Sequence, residues 1–337
     1  MNYTYPGSFY PPSYTPIPDP YERRVLRSAA GFIGVLMLLL TVTMQFTYPL
    51  LTLVLSLFGV LPPNALTMSD LGVGNTAFLL IYACVYLLAM GTPLLLVLAK
   101  RHLFAQKFQK RSMSGGNTFL SVLTAVGGCM AANIVTSLLL SLLEQWDVPI
   151  PEMPDMMEHT PISLLLNFFV IAVLPAILEE AVFRGCVLRV LRPFGDGFAV
   201  CISAVLFGLM HGNIRQVPFA IIVGLILGKL YVSTNSILFP MLVHFINNAL
   251  SVWMEYLAMG LSDDATSLFY GGIIYGLSAV GVVTGIVLAI IRPPQSREDR
   301  TPCALRTGDK LSTLLRSPAF VISVLVFIGL IGLELMM

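Results

Sequence analysis

A pair of carboxylates followed by a guanidinium stands at the end of a long apolar stretch of this sequence. Glu179, Glu180 and Arg184 follow the run 161–178, which contains no charged residue. Ionisable side chains inside a bilayer are costly, so each is by default a candidate for function. In a helix Arg184 can neutralise and orient Glu180 four residues earlier, whereas Glu179 points elsewhere and can meet a second partner. A carboxylate in surroundings of low dielectric is suited to activate water as a base.

Two other apolar stretches carry polar groups that could complete such a site. His211 ends one stretch, and His244 and Asn248 share one helix face of the other. At 1.5 Å per residue, Glu179 and His211 each lie about 20 Å from the inner end of their helices, Asn248 about 16 Å and His244 about 10 Å. Two donors on one helix face suit a developing oxyanion. Together these groups indicate a hydrolytic site that uses water and needs no Ser or Cys nucleophile.

Each of these residues also has a structural interpretation. His211 could bond a carbonyl at a helix end, His244 and Asn248 could join two helices, and Arg184 could reach the interface. The carboxylate pair could mark the end of a span. The conjunction of all these groups at overlapping depths favours chemistry.

The composition predicts an integral membrane protein. Hydrophobic residues make up 56% of the chain and charged residues 11%, whereas a soluble domain carries about 25% charged residues. The net charge of +1 and the absence of a basic domain give no indication of nucleic-acid binding. The five cysteines form no CxxC pair, so neither a disulfide framework nor a thiolate zinc site is indicated.

The apolar stretches predict an all-α, polytopic bundle of transmembrane helices, since a span needs about 20 apolar residues. The fifth and sixth candidates are short and could form a hairpin, so we expect eight or nine spans. The candidates are Ser28–Phe58, Ala77–Ala99, Thr118–Leu143, Pro161–Leu191, Phe198–His211, Val217–Tyr231, Ile237–Met259, Leu268–Ile291 and Pro318–Leu335.

The basic residues predict a cytosolic N-terminus in the plasma membrane. With the N-terminus inside, every Lys and Arg except Arg215 falls on the cytosolic side, as the positive-inside rule requires. The segment 144–158, on the other side, carries five carboxylates and no Lys or Arg.

Four regions follow from this pattern. Residues 1–27 form a Pro- and Tyr-rich tail, which we expect to be disordered and cytosolic. Residues 28–160 hold the first transmembrane helices, and 161–259 hold the candidate catalytic core. Residues 260–337 hold the last transmembrane helices and a basic cytosolic loop.

Three motifs in this core resemble those of a known family. Residues 179–184 match EExxxR, 207–211 match FxxxH and 244–248 match HxxxN, in that order and each on a predicted membrane helix. The segment 161–259 thus resembles the CPBP family of intramembrane proteases, which includes CAAX prenyl endopeptidases and bacteriocin-processing or immunity proteins. No motif position departs from the pattern.

The resemblance implies roles for these residues. Glu179 would be the base that activates water, assisted by His211. His244 and Asn248 would stabilise the oxyanion, and the ion pair within the first motif would hold the architecture.

The resemblance leaves the cofactor open between none and zinc. The family is often labelled metalloprotease, and Glu179, Glu180, His211 and His244 could in principle ligate zinc. The sequence contains no HExxH motif, and metal-free glutamate catalysis explains the same residues.

We therefore expect an intramembrane endopeptidase, a hydrolase acting on a membrane-associated peptide or protein near the cytosolic half of the bilayer. One alternative is a non-catalytic bacteriocin-immunity or partner-binding membrane protein. Another is a proton-coupled transporter using Glu179 and Glu180 as a relay, although no inverted repeat is visible.

Overall fold

The computed structural model describes residues 19–60, 74–100, 115–151, 157–291 and 303–336. Every regular element within these ranges is a helix, which confirms the all-α prediction. The first eighteen residues of the predicted tail lie outside the described residues. The helices are α1 Asp19–Leu57, α2 Asn75–Ala99, α3 Gly115–Gln145, α4 Pro161–Phe194, α5 Asp196–Met210, α6 Val217–Thr234, α7 Leu238–Ala258, α8 Asp263–Ile291, α9 Thr307–Leu315 and α10 Pro318–Glu334.

Six of the described helices are long and apolar enough to cross a membrane, and a seventh candidate is the bent pair α9 and α10. The predicted count of eight or nine is therefore not reached by length and composition. Helix α5 is too short, with 15 residues. Helix α7 has 21 residues, but it carries one histidine, two asparagines and one glutamate that lower its hydropathy.

One end of the bundle gathers basic residues, and we call it the basic end. Here α1 begins, α4 and α6 end, α5 begins and α9 lies. The buried Glu22 carboxylate accepts hydrogen bonds from the backbone N–H groups of Ala304 and Leu305, at 3.0 and 3.2 Å. Arg192 pairs with Asp196 at 2.8 Å. These contacts fix the direction of the helices relative to one another.

The opposite end gathers carboxylates, and we call it the acidic end. The backbone N–H of Ile214, between α5 and α6, donates to Glu334 at the end of α10, at 3.1 Å. His159, just before α4, meets Tyr256 near the end of α7 with ring centroids 4.7 Å apart. Arg215 on the same α5–α6 segment donates to the carbonyl of Pro151, which follows α3. The ends of α3, α5 and α10 therefore meet at this end, where the end of α7 also meets the start of α4.

Two parts of the basic end differ from the sequence-based prediction. Helix α1 begins at Asp19 rather than Ser28, and α9 lies inside the predicted basic loop. Both differences have one cause: Glu22 binds the segment before α9, and Arg23 forms an ion pair with Asp309 at 2.9 Å. A one-dimensional pattern cannot show such pairing between distant segments.

Close approach of α5 and α6 positions one wall of the candidate site. A Cβ at Gly224 would lie 2.9 Å from Ala204 Cα, and a Cβ at Gly208 would lie 2.3 Å from an atom of Ile221. Small residues let helix backbones approach closely in membranes. The contact brings the Gly224 carbonyl to the candidate site.

Candidate active site

Helix α4 is irregular where it carries the candidate site. It contains two π-helical stretches, Phe168–Val173 and Phe183–Leu188, on either side of the carboxylates. Pro175 has no N–H to offer the carbonyl of Ile171 four residues earlier. Asn248 Nδ2 on α7 donates to that carbonyl at 2.8 Å. The side chain predicted as an oxyanion donor thus also joins α7 to the irregular part of α4.

Glu180 and Arg184 form a buried ion pair on α4. Arg184 Nη1 donates to Glu180 Oε1 at 2.8 Å, and the two side chains are 1% and 0% exposed. Arg184 Nη2 donates to the Gly224 carbonyl at 3.2 Å, and its guanidinium carbon lies 4.6 Å from the centre of the Phe207 ring. These contacts fit the structural role implied by the resemblance, because the guanidinium joins α4, α5 and α6.

His244 stands between the two carboxylates. Its Nδ1 lies 3.0 Å from Glu180 Oε1, and its Nε2 lies 3.9 Å from Glu179 Oε2. Since Glu180 Oε1 also accepts from Arg184 as an ionised carboxylate, His244 Nδ1 is the donor in this pair. His244 Nε2 can then donate to an oxyanion only when the ring is the doubly protonated imidazolium.

His211 is held in one orientation at the end of α5. Its Nδ1 lies 2.8 Å from the Phe207 carbonyl, which can only accept, so Nδ1 carries the proton and Nε2 of the neutral ring is the basic nitrogen. The Phe207 ring packs edge-on against His211 and against His244, at 5.2 and 6.0 Å between centroids. The Phe207 ring thus lies between the two histidine rings and separates them.

Tyr86 on α2 contacts the candidate site, and sequence reasoning missed it. Its hydroxyl donates to Glu179 Oε1 at 2.6 Å. The neighbouring Tyr82 stacks on it, with ring centroids 6.4 Å apart and planes 15° apart. The two tyrosines lie one helical turn apart in an apolar helix, and this spacing is the only signal the sequence offers.

A cavity of about 1180 Å³ joins these residues. Its walls include Glu179, His211, His244 and Asn248, whereas Glu180 and Arg184 lie behind the walls. Four of the six predicted site residues thus share one space, and the other two support it from outside. The remaining polar lining consists of Thr41, Gln45, Tyr82, Tyr86, Asn133, Asn213, Gln216, Asn247, Ser251, Glu255 and Glu334.

The cavity extends from the carboxylates toward the acidic end of the bundle. On α7 its lining runs from the buried His244 to the partly exposed Glu255, about 16 Å at the helical rise. It also includes the acidic halves of α5 and α10. Sequence patterns indicate only depths along single helices, and these do not reveal which end of a bundle is hollow.

The predicted zinc ligands do not fit a metal ion as they lie. Among the described residues, no group of three or more His, Cys, Asp or Glu is arranged to hold one. Glu180 and His244 Nδ1 are engaged with each other, His211 Nδ1 binds a carbonyl, and the Phe207 ring stands between the histidines.

Comparison with known proteins identifies the segment that holds the motifs. Residues 161–250 match the family model described as type II CAAX prenyl endopeptidase, Rce1-like, which confirms the resemblance to the CPBP family. The match includes all three motifs and excludes α2, so Tyr86 lies outside it. No curated protein and no solved structure matches the chain.

Proposed function

Because residues 161–250 form an Rce1-like domain, we propose that this protein is an intramembrane endopeptidase of that type. The observation that carries the proposal is the meeting of Glu179, His211, His244 and Asn248 in one cavity inside an apolar bundle. A carboxylate, a histidine with a basic nitrogen and two further donors are the parts that water-dependent peptide hydrolysis needs.

In the proposed reaction Glu179 takes a proton from water, and the resulting hydroxide attacks the peptide carbonyl. His211 accepts a hydrogen bond from the same water at Nε2 and orients it. The oxyanion receives hydrogen bonds from the His244 imidazolium and from the second N–H of Asn248, whose first N–H binds Ile171. Glu179 then returns its proton to the leaving amine.

The Glu180–Arg184 pair acts through His244. Because Glu180 accepts from His244 Nδ1, it fixes the ring with Nε2 facing Glu179. Arg184 in turn keeps Glu180 ionised and oriented. The proposed chemistry is therefore metal-independent, and every group in it belongs to the chain.

The proposed topology has eight or nine spans, with the short α5 and the polar α7 crossing inside the bundle. The basic end faces the cytosol, with the N-terminus, because cytosolic loops of membrane proteins carry an excess of Lys and Arg. The proposed location is the plasma membrane, and the substrate is a membrane-associated peptide or protein.

The test compares membranes from cells that express wild type, Glu179→Ala or no protein, by quantitative proteomics of new peptide termini. We expect termini that depend on wild type and vanish in Glu179→Ala and His211→Ala, with folding checked by thermal melts. His244→Ala and Asn248→Ala should slow cleavage of a peptide spanning the identified bond by about 10²–10³.

Two outcomes would count against a protease. An unchanged phenotype in Glu179→Ala would favour a partner-binding or immunity protein. Loss of proton-coupled uptake in that variant, without any cleavage by wild type, would favour a transporter.

A further inference from the structure

We propose that the catalytic cavity is reached from the acidic end, and that its occupant is a segment of a membrane polypeptide on the extracytoplasmic side. This inference rests on the proposed function and names the substrate class of the same site. It differs from the expectation of cleavage near the cytosolic half of the bilayer.

The exposure of the cavity walls increases toward the acidic end. At the level of Glu179, Phe207 and His244 the lining is buried. Toward the acidic end it becomes partly exposed at Gln216 and exposed at Ser251. Because exposure of the lining increases in this direction, the cavity is closed at the carboxylates and has its mouth at the acidic end.

The bundle is closed on the basic side of the cavity. Below Glu179 the bundle is filled by the buried ion pair and by an apolar cluster of α1, α4 and α5 that includes Phe183, Leu188 and Leu191. Each of these three side chains is 0% exposed. A cytosolic peptide would have to displace this packing to reach Glu179.

The two ends of the bundle differ in charge. The cavity walls include Glu255 and Glu334 and no Lys or Arg. Arg215 lies at this end, on the segment between α5 and α6. Its guanidinium donates hydrogen bonds to the carbonyls of Ile150 and Pro151. By the positive-inside rule the acidic end faces away from the cytosol, so the mouth opens there.

The chemistry of the lining suits an unfolded peptide. The lining combines apolar side chains such as Met44, Phe219 and Leu330 with amides such as Asn213 and Gln216. Amide side chains can both donate to and accept from a peptide backbone. A segment leaving the membrane on the outer side would find partners for both its apolar side chains and its backbone.

The experiment measures access without needing catalysis. Single cysteines are placed at Ser251 in the mouth and at the exposed Thr307 at the basic end, with Cys84→Ala, Cys201→Ala and Cys303→Ser removing the reactive native thiols. The buried Cys129 and Cys186 are retained. A membrane-impermeant maleimide is added to intact cells and, separately, to inverted vesicles.

We expect Ser251→Cys to react in intact cells, and Thr307→Cys to react only in inverted vesicles. Gln216→Cys serves as a second mouth position if Ser251→Cys does not fold. The reverse pattern, or labelling of the mouth position only in inverted vesicles, overturns the inference. Cleavage is scored separately on membrane-tethered reporters that present the identified segment outside or inside the cell. If neither reporter is cleaved the protease proposal fails, while the labelling still decides the direction of access.

A second inference rests on a separate observation: the geometry assigns Tyr86 as a positioning residue for Glu179. Its hydroxyl fixes Glu179 Oε1 at 2.6 Å, which leaves Oε2 facing His244 Nε2 at 3.9 Å. Without this donor the Glu179 carboxylate can rotate. Glu179 and His244, which flank the reacting carbonyl, then lose their alignment.

The test replaces Tyr86 by Phe, which keeps the ring and removes the hydroxyl, with Tyr82→Phe as the matched control on the same helix face. With a peptide spanning the identified bond, we expect Tyr86→Phe to lower kcat by about tenfold or more, as for loss of a hydrogen bond to a charged group. KM and the melting temperature should stay near the wild-type values, and Tyr82→Phe should have little effect.

An infrared measurement needs no substrate. The carboxylate band that disappears in Glu179→Ala should shift in Tyr86→Phe and not in Tyr82→Phe. An unshifted band together with an unchanged kcat overturns the assignment. If Glu179→Ala is itself fully active, the failure belongs to the proposed function.

Discussion

Removing the charge of Arg184 should destabilise the protein more than any exposed ion-pair change. Arg184→Met keeps much of the side-chain volume but leaves Glu180, which is 0% exposed, with only His244 among the partners described above. Two charges about 4 Å apart interact by about 4 kcal/mol at an effective dielectric of about 20. Breaking a buried pair by removing one partner typically costs about 3–5 kcal/mol. Both estimates are a large part of a typical folding free energy of about 5–15 kcal/mol.

The matched comparison is the ion pair between Arg23 and Asp309, whose side chains are 32% and 37% exposed. An exposed pair contributes about 0–1 kcal/mol, so Arg23→Met should change little. The double variant Glu180→Gln with Arg184→Met should recover much of the loss, because no charge then remains buried without a partner. The glutamine oxygen can still accept from His244 Nδ1.

The assay is thermal unfolding of purified protein in one detergent, with the yield of monodisperse protein as a second readout. We expect Arg184→Met to melt lower than wild type by on the order of 10 °C, Arg23→Met to match wild type, and the double variant to lie between them. Equal melting temperatures for Arg184→Met and Arg23→Met would refute the reasoning about the buried carboxylate.

Three further predictions follow from the site and the topology. Asn248→Ala should destabilise the protein by about 1–3 kcal/mol because the Ile171 carbonyl loses a donor. Adding Pro175→Ala should restore part of this stability by supplying a helical N–H, and a double-mutant cycle by thermal melts that shows no coupling between the two positions would contradict the prediction. Hydrolysis should persist in chelator-treated enzyme, and metal analysis should find far less than one equivalent; stoichiometric zinc with reversible loss of activity would require the metal mechanism instead. Reporter fusions within 101–114 should give a cytosolic signal and those within 152–156 an external one, because the first segment is basic and the second acidic; a cytosolic signal from 152–156 would reverse the orientation of the cavity.

The sequence by itself predicted the class of the protein and the residues of its candidate site. Long apolar stretches in a lipid environment can satisfy their backbone groups only as helices or closed barrels, and their length favours helices. Ionisable residues at depth stand out against such a background, so Glu179, His211 and His244 could be found without a structure. The spacing of Glu180 and Arg184 also predicted their pairing, because the i,i+4 contact is local to one helix.

The tertiary structure decided which partners meet across helices and where the hollow space lies. The spacing of Tyr82 and Tyr86 in α2 does not show that Tyr86 donates to Glu179, because that contact joins residues that are distant in the chain. His244 approaches Glu179 with Nε2 and Glu180 with Nδ1. Both contacts likewise depend on how α7 is rotated against α4. The direction of the cavity depends on how completely every helix packs at each level, so a sequence-based expectation about the site could not include it. A single helix pattern fixes depth and face, but packing between helices fixes distance, access and the second partner of each charged group.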